Sequence, residues 1–415
     1  AADLLSIYES ARQNDPQYAS AQAEYRAARE ARPQARAPLL PQVALQASTY
    51  DNEQEAGGRT TEYDSEEVTL SLTQTLFNWS EFYGLSRADA QVAQAEARLA
   101  AAEQALITRV AQAYFDVLSA EDNLRFAQAE KKAIERQLEQ AQQRFDVGLI
   151  PVTDVKEAQA SYDLAVSREI DAQNRLENAR EALRTLTGEP PGTLATIADE
   201  LRLEGPSPAR PEAWVERALE QNPDYLAARS AAEAARQGIQ QARGGYYPDV
   251  ELQASRTEGE NLNGPAATGD TTTDRIGVQL TWSLFSGFST QSQTREARAQ
   301  FEQSKAGVVQ ARRTAEQSTR DAYRAVEASI SQVEALRQAV ESNQAAVEST
   351  RAGFRVGTRT AVDVLNALRD LYAAQRDLAD ARYNYITSRL RLQEAAGGLA
   401  VDDVRLVNSW LSEPQ

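Results

Sequence analysis

The 415-residue sequence contains no cysteine and no histidine. Without cysteine there are no disulfides, no thiolate chemistry and no cysteine-based metal site. Without histidine the commonest general base and metal ligand is missing. Long apolar runs are lacking too. The mean hydropathy is -0.56, and no stretch approaches the roughly 20 apolar residues of a transmembrane helix. Positive charge is scarce: 44 Lys and Arg stand against 61 Asp and Glu, a net charge of -17. That balance argues against a nucleic-acid backbone as partner. It suits a solvated acidic surface, or a pathway that favours cations. No Gly-x-Ser-x-Gly, phosphate loop, dinucleotide fingerprint or metal constellation occurs. The expectation is therefore a protein that is not an enzyme and needs no cofactor or metal. The chain opens Ala1-Ala2-Asp3 without a basic-plus-apolar leader, as expected of a chain whose signal peptide has been removed. An alanine rather than a cysteine at the first position argues against a lipid anchor.

What is present is written twice, at a spacing of roughly 208 residues. Asn14-Asp15-Pro16-Gln17-Tyr18 returns as Gln221-Asn222-Pro223-Asp224-Tyr225, and Leu45-Gln46-Ala47-Ser48 as Leu252-Gln253-Ala254-Ser255. Leu76-Phe77 returns as Leu284-Phe285, and Phe145-Asp146-Val147-Gly148 as Phe354-Arg355-Val356-Gly357. Agreement in this order points to duplication, with a first repeat over 1–209 and a second over 210–415.

Each repeat carries two strand signals, over 39–51 and 66–77, then 247–257 and 274–285. Val43, Leu45 and Ala47 alternate with polar residues, as do Val68, Leu70 and Leu72. Val250, Leu252 and Ala254 repeat the pattern, followed by Ile276, Val278, Leu280, Trp282 and Leu284. Such alternation gives each strand one apolar and one polar face. The strands are about ten residues long, enough to cross a bilayer when tilted. Aromatics gather where strands meet helices: Phe77, Trp79, Phe82 and Tyr83, then Tyr246, Tyr247, Trp282, Phe285 and Phe288. This is the pattern of an interfacial girdle in outer-membrane lipid. The polar stretches 51–66 and 256–274 read as external loops. Four strands cannot close a membrane barrel, and open edges are not tolerated in lipid. Two chains would supply eight strands, a barrel filled by its own side chains; three supply twelve, with an open lumen. The arithmetic favours a homotrimer.

The remainder reads as helix. No proline lies between Pro41 and Pro151, or between Pro265 and Pro414. Over 80–146, apolar residues keep a heptad rhythm from Leu106 through Val110, Val117, Ile134 and Ala141, broken at Lys131. The second repeat, over 288–355, has Val326, Val333, Val340, Val347 and Phe354, each seven apart. These are coiled-coil seams, on helices of roughly 100 Å at 1.5 Å per residue. Shorter helices are expected over 2–35, 153–187, 211–243 and 360–396. Two of them laid end to end match a long one. The segments 188–209 and 397–415 should then sit at the midpoint as a belt.

Val356-Gly357-Thr358-Arg359-Thr360-Ala361-Val362-Asp363-Val364-Leu365, with Leu371-Tyr372 and Ala381-Arg382-Tyr383-Asn384-Tyr385, resembles the TolC family of outer-membrane efflux proteins. Val147-Gly148-Leu149 and Thr153-Asp154-Val155 are the counterpart in the first repeat. The resemblance covers essentially the whole chain. It implies a mixed fold, with long antiparallel coiled-coil helices forming a periplasmic α-barrel. It also implies four transmembrane β strands per chain, shared in a twelve-stranded trimer barrel. The implied function is the outer-membrane channel of a tripartite efflux or type I secretion system in a Gram-negative bacterium. The implied partners are a periplasmic adaptor and an inner-membrane transporter of an efflux or ABC type. By the same resemblance Arg359 matches a gate arginine, with Thr153 and Asp154 as its partners, and Asp363 a constriction-ring aspartate. The steps Val147-Gly148-Leu149 and Val356-Gly357-Thr358 resemble the adaptor-contact tips. Two departures stand out: a second ring aspartate falls on Asn366, and a gate tyrosine on Phe354, which has no hydroxyl. Thr360-x-x-Asp363 also has the form of a capping box. The competing reading is a periplasmic coiled-coil scaffold or adaptor without a pore; it accounts for the heptads but not for four amphipathic strands.

Overall fold

The structure is a computed structural model that describes residues 1–198, 201–260, 262 and 269–412. In chain order its elements are α1 (Leu4–Asn14), α2 (Pro16–Arg29), α3 (Ala31–Arg36), β1 (Gln42–Ala56), β2 (Arg59–Phe77), α4 (Trp79–Asp146) and α5 (Val152–Thr187). There follow β3 (Thr196–Ile197), α6 (Pro211–Gln221), α7 (Pro223–Ala242), β4 (Asp249–Glu260), β5 (Asp270–Thr281), α8 (Ser289–Arg355), α9 (Ala361–Ala395), α10 (Val401–Asn408) and β6 (Leu411–Ser412). No helix among the described residues is long and apolar enough to cross a membrane. Two compact units emerge, and each draws on both repeats: 1–22, 99–225 and 312–415 form one, 23–98 and 226–311 the other.

The second unit holds a four-stranded antiparallel sheet in the order β1-β2-β4-β5. Its register puts Val43, Leu45 and Ala47 opposite Leu72, Leu70 and Val68, and Val250, Leu252 and Ala254 opposite Leu280, Val278 and Ile276. Leu72 faces Ala254 across the middle of the sheet. Twelve apolar residues thus share one face, and most of the large ones are exposed, Ile276 at 80% and Leu45 at 71%. The band is stepped. The centre of the first hairpin lies at Leu70, while that of the second lies opposite Gln74. Four residues is roughly 13 Å along a strand, over roughly 10 Å of sheet width. A level apolar belt then requires strands inclined by about 50°, close to the tilt of membrane barrels.

The strand bounds differ from the sequence expectation. The segment 39–41 is not strand, since a 3-10 turn covers Ala37–Leu39. The 51–66 loop is instead a continuation of both strands to a two-residue turn, with Ala56 paired to Arg59. Gly57 and Gly58 both take positive φ, 62° and 73°, which is the hairpin turn that matches strand twist. The hairpin is polar there, so backbone pairing rather than burial of a face forms it, and alternation could not reveal it. Likewise β4 and β5 run to Glu260 and from Asp270, and the rest of the expected 256–274 loop lies largely outside the described residues. β5 stops at Thr281, short of 285.

The first unit is helical. The heptad residues Leu106, Val110, Val117, Val326 and Val333 lie in its main core with Tyr114, Phe115 and Ile386. The short helices expected over 2–35 and 211–243 are broken. Pro16 and Pro223 lack the N–H that a continuous helix needs and hold the preceding residue extended, as seen at Asp15 (ψ 117°) and Asn222 (ψ 120°). Each preceding residue caps the next helix: the Tyr18 amide donates to Asp15 at 2.9 Å and the Tyr225 amide to Asn222 at 3.1 Å. Asp15 is buried and receives two Arg109 nitrogens, at 2.6 and 3.3 Å. The neutral Asn222 needs no cation and donates to the Ala395 carbonyl. Midway along α4, the Tyr114 hydroxyl lies 2.7 Å from the Ala195 carbonyl and 3.2 Å from that of Ala2. β3 pairs with β6, so 188–198 and 397–412 gather against α1 and the middle of α4.

Candidate functional site: the helix tips and the strand rim

Both helical hairpins reverse by the same device. After α4, the Gly148 amide donates to the Phe145 carbonyl and the Leu149 amide to that of Arg144, at 2.8 and 2.9 Å. After α8, the Gly357 amide donates to Phe354 and the Thr358 amide to Gly353, at 3.3 and 2.9 Å. Each is a Schellman closure with glycine in the left-handed region, at φ 75° for Gly148 and 80° for Gly357. The turns leave Val147, Leu149, Val152 and Val356 exposed, an apolar rim at both tips.

Beyond the second tip, α9 starts with a reciprocal capping box. The Asp363 amide donates to the Thr360 hydroxyl at 3.2 Å, and the Thr360 amide donates to the Asp363 carboxylate at 2.9 Å. These Thr360 bonds, with the attraction of Arg359, hold the Asp363 carboxyl below the usual range. Asn366 accepts from Arg369 on its own helix. Asp370, seven residues beyond Asp363, lies on the same helical face and is exposed. The sequence reading did not single it out, although the spacing alone would have found it.

Within one chain, no ion pair or hydrogen bond joins Arg359 to Thr153 or Asp154 among the described residues. Thr153 sits against Asp154, with the oxygens 3.4 Å apart. The Arg359 stem instead packs over Gly353, where a Cβ would come within 2.7 Å of its Cγ. Phe354 is buried, and the Arg144 guanidinium lies over its ring, 4.4 Å from the centroid. A cation–π contact therefore ties the end of α4 to the end of α8, at the position where no hydroxyl is available.

Above the tips, α4 carries a charged layer where the seam is interrupted. Glu130 is 1% exposed and receives Arg168 of α5 at 2.6 Å and Arg376 of α9 at 3.0 Å. The neighbouring Lys131 pairs with Glu169 of α5 at 2.6 Å. The break at Lys131 is thus a crossed ion-pair layer, which a single-helix pattern cannot show because the partners lie 38 and 246 residues away.

In the other unit the rim aromatics cluster. The Trp79 ring stacks on Tyr247 at 4.3 Å and lies 4.9 Å from Tyr83. Phe77 approaches Phe82, and Phe285 meets Phe288 edge-on. Trp79 donates to the Gln240 carbonyl and Trp282 to that of Tyr246. Rings that are half-buried at Trp79 and exposed at Tyr247, Trp282 and Phe285, with the tryptophan N–H groups satisfied, suit a boundary between an apolar and a wet phase.

Comparison with known proteins follows this geometry. The family model described as "Outer membrane efflux protein" matches residues 7–189 and 214–398, one match per repeat. Outer membrane protein TolC of Vibrio cholerae is 40% identical, over 99% of this chain and 94% of its own length. TolC of Escherichia coli is 36% identical, over 100% and 86%. Alkaline protease secretion protein AprF of Pseudomonas aeruginosa is 32% identical, over 97% and 86%. The solved structure of the outer membrane protein VceC from Vibrio cholerae shares the fold, with a TM-score of 0.84 at 24% identity over 95% of this chain and 96% of that one.

Proposed function

The chain belongs to the outer membrane efflux protein family, and on that premise we propose how its two ends work. It is an outer-membrane channel of the efflux and secretion type, with its helical part in the periplasm. The observation that carries the finer reading is the four-stranded sheet with one apolar face and with β1 and β5 at its edges. Unpaired edges in hydrocarbon leave each backbone group unsatisfied at a cost of several kcal/mol. Three copies, with β5 of one beside β1 of the next, remove every edge and give twelve strands. Cargo, whether small molecules or proteins, passes as through a passive duct with no chemical step.

The tips form the entrance. The exposed Val147, Leu149, Val152 and Val356 offer an apolar rim to a periplasmic adaptor, which links the channel to an inner-membrane transporter. Asp363 contributes one carboxylate per copy to an acidic entrance. Three such charges near one axis concentrate negative potential and admit cations. Arg359, which is attracted to Asp363 but joined to neither Thr153 nor Asp154 of its own chain among the described residues, reaches Thr153 and Asp154 of the adjacent copy and fastens neighbouring tips. Single-channel recording tests this reading. Arg359→Ser is expected to raise the resting conductance, and an unchanged conductance contradicts the fastening role.

A further inference from the structure

One of the cavities among the described residues plays no part in the proposed entrance or barrel, although Phe354 at the end of α8 also borders it. It lies in the helical unit between α4 and the α8–α9 pair, with a volume of roughly 890 Å3, within the range of small-ligand sites. Four cations line it, Lys132 and Arg136 from α4 and Arg351 and Arg355 from α8, with Glu348 the single acid. None of the four forms an ion pair or hydrogen bond among the described residues, in a chain where acids outnumber bases 61 to 44. Concentrated, unpaired positive charge repels itself unless an anion covers it.

A second observation points the same way. Gln137 also lines the cavity; it is 6% exposed, and its amide nitrogen has no hydrogen-bond partner. A buried donor left unsatisfied costs free energy that an acceptor ligand removes. Tyr372 of α9 borders the same space and lies within electrostatic reach of Arg351 and Arg136. The lining therefore offers cations, a spare amide donor and a phenol. Guanidinium forks match oxyanions, and charge-assisted bonds to them are the strong ones.

We propose that the cavity between α4 and α8–α9, lined by Lys132, Arg136, Gln137, Arg351 and Arg355, binds a compact oxyanion with two or more negative charges. The ligand bridges α4 to α8 and so stiffens the helices that end in the two tips. Binding itself does not depend on how the entrance is gated.

The test is calorimetric titration of the full-length, detergent-purified protein with sodium pyrophosphate and with citrate, at constant ionic strength. Saturable binding of either probe at one site per chain is expected, with a raised thermal midpoint. Arg351→Gln and Arg136→Gln, both on exposed side chains, should each weaken it about tenfold or more. Gln137→Leu should weaken it while leaving Lys132 and the arginines in place. Lys305→Gln, remote on α8, should leave it unchanged. No saturable binding overturns the proposal, as does equal affinity in wild type and Arg351→Gln. Binding of an acidic helical peptide without binding of either small anion would assign the cations to a protein partner, and would also overturn it.

Discussion

At the scale of single residues, Asp363 serves two ends with one carboxylate. It caps α9 through Thr360, and it stands where an acidic entrance would be built. Its carboxyl is held below the usual range by the Thr360 bonds and then by Arg359. A lowered pKa keeps the group ionised as pH falls through the ordinary carboxylate range, so cation selectivity should persist below about pH 4, where an unshifted aspartate would lose its charge. Asp363→Asn should reduce that selectivity in a salt-gradient reversal-potential measurement; an unchanged reversal potential would remove Asp363 from the permeation path. Asp370, about 10 Å further along α9, supplies a more distant acid where Asn366 is neutral, so the selectivity of Asp363→Asn should fall without vanishing. Glu130 belongs to stability. Glu130→Ala leaves Arg168 and Arg376 facing each other, and should cost about 1–3 kcal/mol in chemical denaturation, allowing for the partly exposed partners. A midpoint within error of wild type would mean that the layer contributes nothing.

At the scale of elements, two short closures and two proline breaks decide where the helices stop. Gly148→Ala and Gly357→Ala each force a side chain into the left-handed region, at about 1 kcal/mol apiece. The effects should add in the double variant because the turns share no hydrogen bond. Denaturation midpoints would reveal this, and a neutral Gly148→Ala would refute the closure at that tip. At the first break, Asp15 is buried, which alone would raise its pKa, but its bonds from Arg109 and Tyr18 bring it below the ordinary value. A lowered folded-state pKa stabilises above the unfolded value near 3.8 and is lost as pH falls through the folded one. Asp15→Asn, like the natural Asn222, should therefore flatten the loss of stability below about pH 4, as a pH series of melting curves would show. The long helices end within one residue of the expected bounds, because a sustained heptad, interrupted only at Lys131, and the absence of proline leave no other element. The breaks at Pro16 and Pro223 were not, since proline at a first helical position opens a helix as readily as it ends one. Strand cores were readable from alternation, whereas the polar extensions over 52–56 and 59–65 carry no apolar period. The capping box Thr360–Asp363 was visible as a local motif. The Arg144–Phe354 stack and the Glu130 layer were not, because nothing local specifies partners on distant helices.

At the scale of the whole molecule, the four-stranded sheet with two open edges among the described residues is the governing fact. Four strands with an apolar band stepped for an inclination of about 50° suit the proposed barrel, which other copies would complete. The family relationship places the molecule in the outer membrane, and the proposed assembly joins copies there through the edge strands β1 and β5. The chain contains no cysteine, so introduced pairs report contacts without background. The most direct measurement is disulfide scanning in outer-membrane vesicles, with one cysteine on β1 between Gln42 and Ser48 and another on β5 between Ile276 and Thr281. Closure by three copies predicts linked dimers and trimers in a subset of registers, with no larger species. An absence of links at every register, or a ladder that stops at two or runs past three, would contradict the shared twelve-stranded barrel.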